Sequence, residues 1–194
     1  MVLSSPHSDT EVIPDSESLS AEELILAAYE RFGDRLCLTC SWQKQSSVLV
    51  HMVSELDLPI EIVELDTQLF FRESYETRDR LLERYPGMTI VRPEVITVAE
   101  QHRREGPNLW EREPDRCCEI RKVEPLVRAL EPYDAWASGI RRDQSPSRAW
   151  AVAIAEDSEQ PVPWLFRVAT RCPGNTTTSP DRRPAVFTRA SGHS

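Results

Sequence analysis

The sequence predicts an α/β fold, a mostly parallel sheet with helices on both faces. Short apolar runs of strand length alternate with amphipathic stretches of helix length, and strands that alternate with helices build parallel sheets. Each of the first three runs gives way to a helical pattern, as strand-to-helix connections require. The polar residues suited to chemistry gather at the carboxyl ends of the runs, where open α/β sheets bind ligands.

Residues 1–19 are polar, acidic and turn-rich and read as a loose leader. Ser20-Ala21-Glu22-Glu23 is a capping box; it opens a helix whose apolar stripe includes Leu24, Leu26, Ala27 and Ala28 and which ends at Gly33. Leu36–Cys40 is a short buried strand, followed by a polar turn and a helical run, Ser47–Val53. Ile60–Leu65 is a second strand, running into Asp66-Thr67 and an amphipathic helix over 70–84. Thr89–Val91 is a third strand, and a helix over 97–105 follows. A loop passes Gly106-Pro107 and Pro114, and another helix covers 118–130. Asp134–Ser138 is the fourth strand and ends at Gly139. Residues 20–150 thus form the domain, and 151–194 read as an irregular tail rich in Pro, Arg, Thr and Ser.

A chain of 194 residues can hold one domain with a real core. Its net charge of −9 argues against a general nucleic-acid binder, though a local Arg and Lys cluster can still receive a small anion. No apolar run approaches the roughly 20 residues of a membrane span, and no signal peptide opens the chain, so it reads as cytoplasmic. Five cysteines in a reducing compartment are ligands, catalysts or core residues rather than disulfides.

Cys117-Cys118 is the most informative pair. Adjacent cysteines bond awkwardly to each other but can supply two thiolates to one iron–sulfur centre, or they can pack as core. Arg116, Arg121 and Lys122 put positive charge beside them. Ser41-Trp42-Gln43-Lys44-Gln45-Ser46-Ser47 ends the first strand at a helix start, which suits an anion or a simple cap. It lacks the Walker A glycines, which excludes an ordinary P-loop. Leu65-Asp66-Thr67 places a carboxylate where it can meet a ribose hydroxyl or cap a helix. After Gly139, the stretch Arg141-Arg142-Asp143-Gln144-Ser145 offers planar guanidinium forks to phosphate or sulfate. Cys37 and Cys40 lie three apart in a strand, point to opposite faces, and read as core. His51 and His102 read as packed or solvated, and Trp110 either covers the site or simply packs.

Taken in order, these four motifs resemble the assimilatory adenylyl-sulfate reductases of the phosphoadenylyl-sulfate reductase family, over Leu19 to Arg148. The resemblance implies the Rossmann-like, adenine-nucleotide α-hydrolase-like sheet. It implies a substrate pocket built from Ser41, Gln43, Lys44, Ser46, Ser47, Leu65, Asp66, Thr67, Arg141, Arg142, Asp143, Gln144 and Ser145. Cys117 and Cys118 would be two of the four ligands of a 4Fe–4S cluster, and Lys122 an electrostatic catalytic residue between cluster and substrate. The implied reaction reduces adenylyl sulfate to sulfite and AMP, with a Glu-Cys-Gly cysteine attacking sulfur and thioredoxin resolving the adduct. The alternatives are a phosphoadenylyl-sulfate reductase and a non-catalytic nucleotide-binding remnant.

The second ligand pair and the Glu-Cys-Gly nucleophile do not occur in the sequence; the only cysteine after Cys118 is Cys172. The sequence therefore reads as a truncated or frame-shifted reductase. Translation of the downstream DNA in the other two frames is expected to show Cys-x-x-Cys and Glu-Cys-Gly; finding neither removes that reading. The polypeptide itself is expected to release no sulfite in a thioredoxin-coupled assay.

Overall fold

The computed structural model describes residues 13, 15–140, 146, 149, 151–156 and 164–168. Its elements in chain order are α1 (Ala21–Phe32), β1 (Leu36–Cys40), α2 (Lys44–Glu55), β2 (Glu61–Glu64) and α3 (Arg72–Arg84). Then come β3 (Ile90–Val91), α4 (Val98–Glu105), α5 (Leu109–Arg112), α6 (Pro114–Cys118), a π-helical turn (Glu119–Val123) and α7 (Glu124–Leu130). β4 (Ala135–Gly139), β5 (Ile154–Glu156) and β6 (Trp164–Val168) complete the described elements.

The strands form one sheet in the order β3-β2-β1-β4-β6-β5. All neighbours run parallel except β5 and β6. From β1 the chain builds outward to β2 and β3, then returns to add β4 on the opposite edge. The order reverses between β1 and β4, which makes the crevice above their carboxyl ends the topological switch point.

Local chemistry explains the elements. The Ser20 hydroxyl accepts from the Glu23 N–H at 3.2 Å while the Ser20 N–H donates to the Glu23 carboxylate at 2.8 Å, so the capping box forms as expected. The buried stripe of α1 is Leu24, Ile25 and Ala28; Leu26 stays 37% exposed because it lies about 100° around the helix from its neighbours. One face of the sheet packs Leu36, Leu38 and Cys40 against Leu49, Val50 and Val53 of α2 and the α1 stripe. The other face packs Cys37 and Val63 against Leu130 and Tyr133. Cys37 and Cys40 thus do face opposite cores, and burial pushes both thiols well above the ordinary thiol range.

Three expectations change. The segment 151–194 is not uniformly irregular: β5 and β6 lie in it and extend the sheet past β4, because pairing with a buried parallel neighbour compensates for weak local periodicity. The end of the leader is not loose: Ile13 and Leu19 pack on the core, and the Glu17 carboxylate accepts from the Ala153 N–H at 2.6 Å. The helix expected over 118–130 starts earlier, at Pro114, and widens through Glu119–Val123. Pro125 causes the widening. It has no N–H for the Arg121 carbonyl and its ring crowds that carbonyl, and the Glu124 N–H reaches back five residues to Glu119.

Gly139 matters through contact. A Cβ there would sit 2.9 Å from the Gln45 backbone carbonyl carbon and 2.9 Å from its Cβ, so only glycine lets the end of β4 press on the first turn of α2. Gly139→Ala is expected to lower stability by about 1–3 kcal/mol through overpacking, read by thermal or denaturant unfolding. Gly87→Ala is the control, since a Cβ at Gly87 meets nothing within 4 Å.

Candidate functional site

Two loops flank the switch point. After β1, the Ser41 N–H donates to the Ser46 hydroxyl at 3.4 Å, and that hydroxyl donates to the Gln43 carbonyl at 3.1 Å. Ser46 is buried and ties the loop to itself. Trp42 is buried with φ of 56°, a left-handed conformation that costs energy for a residue with a side chain and is typical of functional turns. The N-terminus of α2 has Gln43 as its cap residue with no side-chain bond, Lys44 in the first turn and no acidic residue there. Its first N–H groups are therefore uncapped by carboxylates, and the helix dipole adds positive potential. The buried Ser47 hydroxyl has no hydrogen-bond partner among the described residues. This end of α2 suits an anion.

Gly139 brings the end of β4 against the same turn at Gln45. Arg141, Arg142, Asp143, Gln144, Ser145 and Arg148 follow directly but lie outside the described residues, as does Cys172.

After β2 the chain makes a tight polar turn. Asp66 Oδ1 accepts from the Gln68 N–H at 2.7 Å and from the Tyr75 hydroxyl at 2.8 Å. Leu65 is buried beneath it, and the Thr67 hydroxyl accepts from the Leu69 N–H at 3.4 Å. Asp66 therefore braces an Asx turn rather than capping α3, whose cap residue is Phe71. Glu64, at the end of β2, is 1% exposed and held by Arg92 at 2.8 Å and Arg78 at 3.4 Å.

The cysteine dyad sits where α6 meets the π turn. Cys117 is buried with Leu109 and Ile120, and Cys118 is exposed. Of the three cations noted beside the dyad, Arg116 is engaged by carboxylates, Glu105 and Glu119 at 3.4 Å and Glu124 at 3.7 Å. Lys122 is exposed. Arg121 is only 1% exposed: its Nε donates to the Thr67 carbonyl at 2.7 Å and its Nη1 to the Gln101 side-chain oxygen at 3.1 Å. Its Nη2 has no partner among the described residues. Burial pulls the guanidinium below its ordinary range, opposed by its electrostatic interaction with Cys117, Asp66 and Tyr75. Gln101, 0% exposed, also donates from Nε2 to the Cys117 sulfur at 3.7 Å.

The dyad helix and the Asp66-Thr67 turn therefore meet through Arg121. Trp110 stacks on His102 at 5.5 Å between ring centroids and borders the Cys117 cluster, so it packs. The dyad suits half of an iron–sulfur ligand set: two cysteine sulfurs at the end of α6, beside a buried cation whose hydrogen-bond partners are neutral. Among the described residues, no group of three or more His, Cys, Asp or Glu could hold a metal ion. Gln101 and Tyr75 escaped the sequence reading. A lone polar residue on an amphipathic helix carries no local signal, and only its partners reveal it.

Burial, then the hydrogen bond to the Asp66 carboxylate, push the Tyr75 phenol up to about 12. A raised phenol pKa contributes stability that is fully present below the unfolded value near 10 and is lost as pH rises through about 12. Tyr75→Phe is expected to destabilise by about 1 kcal/mol at neutral pH, at the low end for a partly exposed pair. Denaturant titrations of both proteins should show the difference closing as pH climbs from about 10 to about 12.

The family model described as the phosphoadenosine phosphosulfate reductase domain matches residues 35–169, beyond Arg148 and through β6. Adenosine 5'-phosphosulfate reductase of Bacillus velezensis is 45% identical over 137 residues, 70% of this chain and 59% of that protein. Adenosine 5'-phosphosulfate reductase 1 of Bacillus subtilis is 48% identical over 123 residues, 62% of this chain and 52% of that protein. The chain spans about half the length of the curated relatives it matches. The crystal structure of phosphoadenylyl-sulfate reductase from Candida auris, a phosphate complex, aligns with a TM-score of 0.66 at 23% identity, over 79% of this chain and 74% of that one, and shares the fold. With the family model covering most of the sheet, the chain belongs to the phosphoadenosine phosphosulfate reductase domain family.

Proposed function

We propose that this chain binds adenylyl sulfate at the switch point between β1 and β4, as the nucleotide-binding part of a reductase that yields sulfite and AMP. The observation that carries the proposal is the Gly139 contact. It sets the uncapped N-terminus of α2, with Lys44, against the end of β4, from which the sequence runs on into the arginine-rich stretch. Ser41, Gln43, Lys44, Ser46 and Ser47 would form the floor under the phosphate and sulfate. Leu65, Asp66 and Thr67 would line the nucleoside, and Arg141, Arg142, Asp143, Gln144 and Ser145 would close on the anionic end. The curated Bacillus relatives named adenosine 5'-phosphosulfate reductase, together with the tandem cysteines, favour adenylyl sulfate over its 3'-phosphorylated form.

Cys117 and Cys118 would hold one side of a 4Fe–4S cluster, which when bound supplies a strongly anionic, polarisable neighbour to the substrate's sulfate. Arg121 offsets negative charge on the buried side and exposed Lys122 on the solvent side. Thioredoxin, or a similar dithiol, is the proposed reductant, in a cytoplasm that keeps thiols reduced. No helix among the described residues is long and apolar enough to cross a membrane.

Calorimetric titration of the anaerobic protein with adenylyl sulfate, its 3'-phosphorylated form, AMP and ATP tests this. Adenylyl sulfate is expected to bind tightest, and Lys122→Ala to weaken it about tenfold by removing a charge-assisted contact. Tighter binding of the 3'-phosphorylated form would move the chain to the other branch of the family. Binding of none of the four would overturn the proposal.

A further inference from the structure

Arg121 holds the two halves of the site together, and its own position depends on a residue outside both. Its guanidinium lies almost wholly out of water with two neutral acceptors, the Thr67 carbonyl at 2.7 Å and the Gln101 amide oxygen at 3.1 Å. A buried guanidinium keeps one orientation only while its acceptors hold it, because the alternative leaves donors unpaired in a poorly solvating interior. Gln101 is the only one of the two acceptors supplied by a side chain, and it comes from α4 with 0% exposure. The same amide donates to the Cys117 sulfur at 3.7 Å. An amide is suited to this double task, since oxygen accepts and nitrogen donates at one terminus.

We infer that Gln101 is a positioning residue: by gripping Arg121 with its oxygen and Cys117 with its nitrogen, it couples the nucleoside-binding turn to the thiol dyad. Through Arg121 the constraint reaches the Thr67 carbonyl, and with it the turn that carries Asp66. Leucine removes both contacts. Glutamate keeps the acceptor for Arg121, and adds charge to it, but removes the donor to sulfur. The effect on nucleotide affinity rests on the proposed function; the effect on Arg121 itself does not.

Gln101→Leu and Gln101→Glu separate these effects in the full 194-residue chain. The first readout is hydrogen exchange of the Arg121 Nε–H by NMR, assigned by through-bond correlation. It is expected to be slow in the parent protein and in Gln101→Glu, and about tenfold faster in Gln101→Leu, where loss of the Nη1 bond frees the guanidinium to turn and loosens the Nε–H bond to the Thr67 carbonyl. AMP affinity is expected to follow the same order, falling about fivefold to tenfold in Gln101→Leu and staying within about twofold in Gln101→Glu. Alkylation of Cys117, followed by peptide mass spectrometry against exposed Cys118, is expected to change in rate in both variants, because each loses the donor to sulfur. Should the leucine variant not fold, Gln101→Asn, one methylene too short for either partner, takes its place. Unchanged Arg121 exchange in the leucine or asparagine variant, or equal loss in the glutamate variant, overturns the inference. Unchanged Cys117 alkylation in both overturns its sulfur half. If the parent protein binds none of the four nucleotides, the proposed function falls while the exchange readout still decides the role of Gln101.

Discussion

Strand β1 is hydrogen-bonded along both edges, to β2 on one side and β4 on the other, and the rest of the site hangs from its carboxyl end. A strand in that position needs apolar residues on both faces, which Leu36, Cys37, Leu38 and Cys40 provide. Because the chain leaves β1 toward β2 and later returns to its other edge as β4, two loops must diverge above it. That divergence opens a crevice without any residue being chosen to open it. Gly139 then narrows the crevice by letting β4 press against the start of α2.

The second organising constraint is electrostatic. A buried cation is costly unless its donors are met and its charge is answered. Arg121 meets two donors with neutral oxygens and stands beside Cys117, with Asp66 and Tyr75 close enough to act on it. Arg116, three carboxylates around it, illustrates the opposite outcome: its charge is spent at the surface. Sequence proximity to the dyad therefore says little about how strongly a cation's charge is felt there, because solvent screens exposed Arg116 and Lys122 more than buried Arg121.

The π turn connects these constraints. Pro125 withdraws one backbone donor, the helix widens over Glu119–Val123, and the widened turn carries Ile120 and Arg121 inward while Lys122 faces out. Widened turns of this kind recur at functional sites because they re-aim side chains without ending the helix. Two neighbouring cations on this turn thus stand in opposite environments.

By itself the sequence determined the strand and helix succession from α1 to α4 and the strand β4, but not α5 in the segment read as a loop; it also determined the capping box at Ser20, the opposed faces of Cys37 and Cys40, and the motifs at the strand ends. Those features are local: hydrophobic period, caps and turn residues act over a few positions and are written there. The pairing of β5 and β6 with the sheet, the docking of Leu19 and Glu17, the inward turn of Arg121 and the role of Gln101 were decided only by tertiary structure. Each joins residues far apart in the chain, 136 positions in the case of Glu17 and Ala153, and the energy of such a contact has no trace in the neighbours of either partner.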